Sequence, residues 1–124
     1  MNKFYIIDHN KTVLDAINYI SKNGSKSVII TKQNKFVGIL TDGDIRKLIL
    51  NKKNLKSKIQ KFYNSNPIFL KENNFNNKEL EKIFLKKKID IIPIVNKSRE
   101  ILEIITFNDF FRNKKIKKID IPVV

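Results

Sequence analysis

The sequence predicts a mixed α/β (α+β) fold made of two copies of one strand–helix–strand–strand–helix unit. Three observations carry that prediction. An apolar run ending in a Thr-x-x-Asp turn occurs twice. The first copy is Phe36-Val37-Gly38-Ile39-Leu40-Thr41-Asp42-Gly43-Asp44; the second is Ile101-Leu102-Glu103-Ile104-Ile105-Thr106-Phe107-Asn108-Asp109, 65 residues on. Short apolar runs and stretches of helical periodicity follow one another in the same order in both halves. Finally, each half holds only about 60 residues, marginal for a free-standing core, so the halves are expected to pack on each other.

The first half opens with Phe4-Tyr5-Ile6-Ile7, an apolar run expected to be a strand. Asp8 to Lys11 is a polar loop, and Thr12 is placed to cap a helix. Val13, Ala16, Ile17 and Ile20 recur at helical spacing, and Asn23-Gly24 supplies the stop. Ser27-Val28-Ile29-Ile30 is a continuous apolar strand of the kind buried on both faces. A turn over residues 31–35 leads to the strand Phe36 to Leu40. From Asp42 onward Ile45, Leu48 and Ile49 form one apolar helical stripe, with Arg46 and Lys47 off it.

Residues 51–58 form a polar, lysine-rich connection. Ile59, Phe62 and Tyr63 suggest one helical turn, and Asn64-Ser65-Asn66-Pro67 a chain reversal. The order then repeats. Ile68-Phe69-Leu70 reads as a strand, and Leu80, Ile83 and Phe84 line a helix. Ile91-Ile92-Pro93-Ile94-Val95 reads as a strand; its proline cannot donate to a ladder, so it is expected to mark a strand start or edge. Ile101 to Ile105 is the last strand, followed by a helix from Asn108 to about Lys115. The 65-residue offset holds from the second strand onward, while the preceding helices align with a one-residue slip. The expected units are 1–58, 59–115, and a tail 116–124.

Composition narrows the function. The chain has no cysteine, hence no disulfide framework or thiolate metal site. Its one histidine, His9, rules out a multi-histidine metal cluster and reads as an exposed loop residue. No apolar run approaches the ~20 residues of a membrane span, and the start lacks the apolar region of a signal peptide, so a cytoplasmic location is expected. The net charge of +14 invites a nucleic-acid reading. Lysine outnumbers arginine 23 to 3, however, and base readout favours arginine forks. The lysines are dispersed and several sit at predicted helix ends, which suits the helix dipole. A solvated surface is expected, with nucleic acid ranked last among partners.

The duplicated turn has two readings. A strand that feeds directly into a helix N-terminus presents unpaired N–H groups and partial positive charge, which attract phosphate. The same Thr-x-x-Asp pattern is also a capping box, in which threonine accepts from a backbone amide and the acid reaches back. Arg46 is the candidate cation for a phosphate, or else a solvated helix residue. No nucleophile–base pair, metal cluster or Gly-rich phosphate loop is visible, so no catalytic residue is assigned.

Taken together, the residues resemble the CBS (cystathionine β-synthase) domain family. The duplicated unit ending in Gly38-Ile39-Leu40-Thr41-Asp42-Gly43-Asp44-Ile45-Arg46 looks like a pair of such domains, the Bateman module. Asn66-Pro67-Ile68 is similar to the family's entry to a second repeat, and Ile89-Asp90-Ile91-Ile92-Pro93-Ile94-Val95 to its Pro-Val-Val strand. The resemblance implies two repeats related by a pseudo-two-fold axis and a regulatory, non-catalytic role. It implies a nucleotide ligand (AMP, ADP, ATP or S-adenosylmethionine) in clefts between the repeats. Asp44 and Asp109 would hold ribose hydroxyls, and Thr41 and Thr106 would contact ribose or phosphate. Gly38, Ile39, Lys11 and Thr12 complete the expected site, with Ile39 offering apolar contact to a base. Glu103 stands where the motif has glycine, and a carboxylate there would repel phosphate. Homodimerisation is expected. The tail Ile116 to Val124 is similar to the lead-in of bacterial sugar-phosphate nucleotidyltransferases, which implies a covalently attached C-terminal catalytic domain. The alternative is a ligand-free structural or dimerisation module that positions such a domain, with Phe110, Phe111 or exposed helix faces as contacts.

Overall fold

The computed structural model describes residues 3–63, 67–87 and 89–112. A 3-10 turn, Lys3–Tyr5, leads into β1 (Ile6–Asp8), α1 (Val13–Asn23), β2 (Ser27–Lys32), β3 (Lys35–Thr41) and α2 (Asp42–Leu50). After a 3-10 turn at Ile59–Lys61 come β4 (Leu70–Lys71), α3 (Asn77–Lys87), β5 (Ile91–Val95) and β6 (Ile101–Thr106). Residues 107–112 are helical and form the described part of α4. The tail 116–124, and the far end of the expected last helix, lie outside the described residues.

Each repeat forms a three-stranded sheet, ordered β1-β2-β3 and β4-β5-β6. In both, the first strand runs parallel to the middle one and the third antiparallel. The expected first strands are shorter than the apolar runs that predict them. Phe4 and Tyr5 lie in the 3-10 turn, and Ile68 and Phe69 precede β4. The cause is packing: Tyr5 and Phe69 both turn into the layer between the repeats.

The registers locate the slip between the copies. Ser27 pairs with Thr41, and Ile91 with Thr106. The middle strands are therefore offset by 64 residues and the third strands by 65, which moves the slip into the β-hairpin. Thr31 faces Phe36, whereas Val95 faces Ile101, so the second hairpin loop is one residue longer. Its extra residue is organised by Asn96, whose Oδ1 accepts from Ser98 N at 2.9 Å and Glu100 N at 3.0 Å. Both hairpins carry the same irregularity, between Ile30 and Thr31 and between Ile94 and Val95.

Strand alternation divides the core into layers. Val28 and Ile30 of β2 join Val13, Ala16, Leu40 and Ile45 in a core private to the first repeat. Ile59 is fully buried there, with Phe62 and Tyr63 beside it, so that core draws on residues past 58. Leu80, Phe84 and Ile92 form the second private core, around which Phe107, Phe110 and Phe111 gather. Ile29, Phe36 and Ile39 project the other way and meet Ile91 and Val95 of the second repeat. This shared layer is why β2 and β5 are apolar on both faces. At one end it is tied by Phe36 N donating to Arg99 O at 2.8 Å, with the Arg99 guanidinium over the rings of Phe36 and Phe69.

The connection between the repeats is docked rather than loose. Val13 N donates to Ser57 O, Leu14 N to Leu55 O and Ile59 N to Lys11 O, so residues 55–59 run along the start of α1. Thr12 closes a complete capping box with Asp15, accepting from Asp15 N at 3.1 Å while Asp15 Oδ2 accepts from Thr12 N at 3.1 Å. The Thr12 amide holds the Asp15 carboxyl below the usual carboxylate range. At the other end of α1, Gly24 takes the left-handed conformation (φ 72°) that terminates the helix.

Candidate ligand-binding clefts between the repeats

Both Thr-x-x-Asp turns are helix caps. Thr41 Oγ1 accepts from Asp44 N at 3.1 Å, and Asp44 Oδ2 accepts from Thr41 N at 3.0 Å, so the first box is closed. Thr106 Oγ1 accepts from Asp109 N at 3.1 Å. Among the described residues no reciprocal bond to the Asp109 carboxylate is formed. The first amide of each helix is tied to the residue before the middle strand: Asp42 N donates to Lys26 O, and Phe107 N to Asp90 O, both at 2.8 Å. Capping and ligand contact do not exclude each other, because an ionised carboxylate has two oxygens with several acceptor sites.

The two turns lie together at the interface and line one cavity of about 880 Å³. Thr106, Phe107, Asn108 and Asp109 form one wall and Thr41, Asp42 and Gly43 another, with Tyr5, Ser25, Lys26, Ser27 and Asp90 between them. A second cleft of about 340 Å³ adjoins it, lined by Ile39, Thr41 and Asp44 with Ser27, Pro67, Ile68, Ile89 and Ile91. The clefts correspond under the repeat symmetry. Ile68 stands in the small cleft where Tyr5 stands in the large one, and Ile89 and Ile91 where Ser25 and Ser27 stand. The large cleft thus has Tyr5 and Ser25 where the small one has Ile68 and Ile89, while Ser27 and Ile89 lie between the two and line both. Burial pushes the Tyr5 phenol up, and the carboxylates of Asp109 and then Asp90 push it further, so it stays a neutral donor at the cavity wall.

The clefts and the sheet order can be set against known proteins. Residues 1–51 match the family model described as the CBS domain. The chain is 28% identical over 104 residues to an inosine-5'-monophosphate dehydrogenase of Aquifex aeolicus. That match covers 83% of this chain but 21% of the dehydrogenase, so the chain spans about a fifth of that relative's length. Among solved structures, CBSX2 in complex with AMP superposes with a TM-score of 0.78 at 17% identity, over 94% of this chain and 90% of that one. The fold is that of a CBS domain pair. The CBS domain pair of protein MJ0100, in complex with 5'-methylthioadenosine and S-adenosyl-L-methionine, gives a TM-score of 0.76 at 23% identity, covering 94% and 92%.

Within this fold the residues singled out from sequence separate into two groups. Thr41, Asp44 and Ile39 line the small cleft, and Thr106 and Asp109 the large one. Gly38, Arg46, Lys11 and Thr12 line neither cavity. Gly38 neighbours Ile39 on the strand and so points to the opposite face of the sheet. Arg46 is two residues beyond Asp44, roughly 200° around the helix, and is exposed to solvent. Lys11 and Thr12 are taken up by the connection docked on α1. Glu103, the expected source of repulsion, is exposed and lines neither cavity, facing away for the same reason as Gly38. Sequence reasoning missed Tyr5, Ser25, Ser27, Asp90, Ile68, Ile89 and Ile91. The signal was the alignment of the two copies with its slip in the hairpin, which pairs Tyr5 with Ile68, Ser25 with Ile89 and Ser27 with Ile91, and sets Asp90 opposite Lys26.

Among the described residues no helix is long and apolar enough to cross a membrane.

Proposed function

We propose that this chain is a regulatory module that binds an adenine-type nucleoside or nucleotide in the clefts between its repeats. The observation that carries this reading is that each Thr-x-x-Asp turn opens into a cavity completed by the opposite repeat. A ligand there touches both halves and alters how firmly they hold together. Asp44 and Asp109 would accept from ribose hydroxyls, while Ile39, Ile68, Ile89 and Ile91 offer apolar walls to a base. Neighbours of the same fold in complex with AMP, or with 5'-methylthioadenosine and S-adenosyl-L-methionine, support the ligand class.

A thermal-shift panel of adenosine, AMP, ADP, ATP and S-adenosylmethionine tests it. A ligand at 100 times its dissociation constant adds ~2.7 kcal/mol of stability, expected to raise the midpoint by several degrees. No shift with any of the five, in a folded sample, overturns the proposal.

The module is proposed to report to an attached enzyme. The dehydrogenase relative supports an enzyme context. The nucleotidyltransferase reading rests on the sequence of residues 116–124 alone, and a Gly-rich phosphate loop after Val124 is the feature that would carry it. A structural role is the second reading. Ile49 and Leu50, 52% and 74% exposed at the end of α2, form an apolar tip suited to a second copy. Phe110 and Phe111, the other expected contacts, instead gather around Phe84. A ligand-independent dimer in light scattering, together with a silent ligand panel, would favour this second reading.

A further inference from the structure

One side chain bridges the repeats inside the large cavity. Asp90, from the second repeat, sits just before β5. Its Oδ2 accepts from Ser25 Oγ and from Lys26 N, each at 2.5 Å, and its Oδ1 accepts from Ser27 Oγ at 3.0 Å. Two hydroxyls and a backbone N–H converging on one oxyanion make the kind of cradle that holds a phosphate group. Here the chain's own carboxylate fills it.

The surroundings do not restore a place for phosphate. Asp42 and Asp109 line the same cavity, against Lys26 and Arg112, which are exposed. With Asp90, carboxylates outnumber cations among the described residues of the lining. These acids are not a metal site: among the described residues no three acidic or histidine side chains gather to hold an ion. The small cleft differs. It contains Asp44 as its only lining carboxylate among the described residues, and its lining includes apolar Ile68 and Ile91, which the large cleft lacks, but not Ser25.

We propose that Asp90 makes the large cleft selective for nucleosides whose 5' substituent is neutral or cationic, by occupying the donors a 5'-phosphate would need. The inference rests on the nucleoside-binding reading of that cleft. A ribose can still meet Asp109 and Thr106. A 5'-phosphate must either displace Asp90 from Ser25, Lys26 and Ser27 or lie against its charge, and both weaken binding. In the first case the link between the repeats is broken as well.

The test is calorimetric titration of adenosine and AMP into the full chain, with the small cleft silenced by Asp44→Ala. The expected result is adenosine binding at least tenfold tighter than AMP. Asp90→Asn, which keeps an acceptor for Ser25 and loses the charge, is expected to tighten AMP about tenfold and move adenosine less than twofold. Equal affinities for the two ligands, or an AMP-to-adenosine ratio unchanged by Asp90→Asn in a protein of unaltered circular dichroism, would overturn the role of Asp90 and leave the nucleoside site standing. Should neither ligand bind, in this background or in the unsubstituted chain, the site reading and the proposal fall together. If Asp90→Asn does not fold, the adenosine-to-AMP ratio in the Asp44→Ala background decides alone.

Discussion

Phe84→Ala is expected to destabilise the chain by about 3–5 kcal/mol, the range for deleting a buried aromatic side chain. Phe84 is 1% exposed and packs with Leu80 and Ile92 in the second repeat's core. Its ring lies 5.8 Å from Phe107, 5.6 Å from Phe110 and 6.2 Å from Phe111, centroid to centroid. The described residues of α4 therefore pack on this one ring through Phe107, Phe110 and Phe111. Its loss leaves a cavity that these neighbours cannot fill without moving the helix that begins at Phe107. Against a typical total stability of about 5–15 kcal/mol the change is severe. It should be read by urea denaturation as a lowered midpoint at unchanged slope. Phe84→Leu, which keeps most of the volume, should cost much less. The consequence for the site is specific: Asp109 sits on the displaced turn, so the large cleft should lose affinity for its ligand more than the small one does. A Phe84→Ala protein within 1 kcal/mol of the parent would show that α4 is held by something other than this aromatic cluster.

Asp44→Asn is expected to weaken nucleoside binding in the small cleft by about ten- to a hundredfold. Hydrogen bonds to a charged partner contribute roughly 1.5–3 kcal/mol, and each 1.4 kcal/mol is tenfold. One carboxylate oxygen already accepts from Thr41 N. The other is the acceptor available to ribose hydroxyls, and an amide nitrogen in its place offers only donors. The asparagine oxygen can keep the bond to Thr41 N, so folding stability should change little. Thr41→Ala is the less clean probe, because removing an N-cap costs about 1 kcal/mol by itself. Titration of the variant with adenosine, alongside its thermal midpoint, separates the two effects. Unchanged affinity at unchanged stability would reduce Asp44 to a capping residue.

The element order was legible in the chain because burial imposes periods. Val13, Ala16, Ile17 and Ile20 mark one face of α1, and the unbroken Val28-Ile29-Ile30 run marks a strand covered on both sides. The turns were legible because they occur twice. The short first strands were not, since Tyr5 and Phe69 are spent on the layer between the repeats, which belongs to neither half alone. Position along the chain also misled locally: Arg46 and Gly38 lie beside cleft residues in sequence and point away from them in space, by helical and strand geometry respectively.

From sequence alone came two equivalent units, their strands and helices, and the threonine and aspartate at each turn. These follow from local periodicity and capping, which depend on neighbours a few residues apart. Which side chains share a cleft was decided only by the tertiary structure. Asp90 meets Ser25 and Ser27, and Ile89 and Ile91 meet Thr41 and Asp44, across separations of 45 to 65 residues that no local pattern encodes. Those contacts exist because two incomplete cores bury a common layer, and the way the sheets stack on that layer sets what faces the ligand.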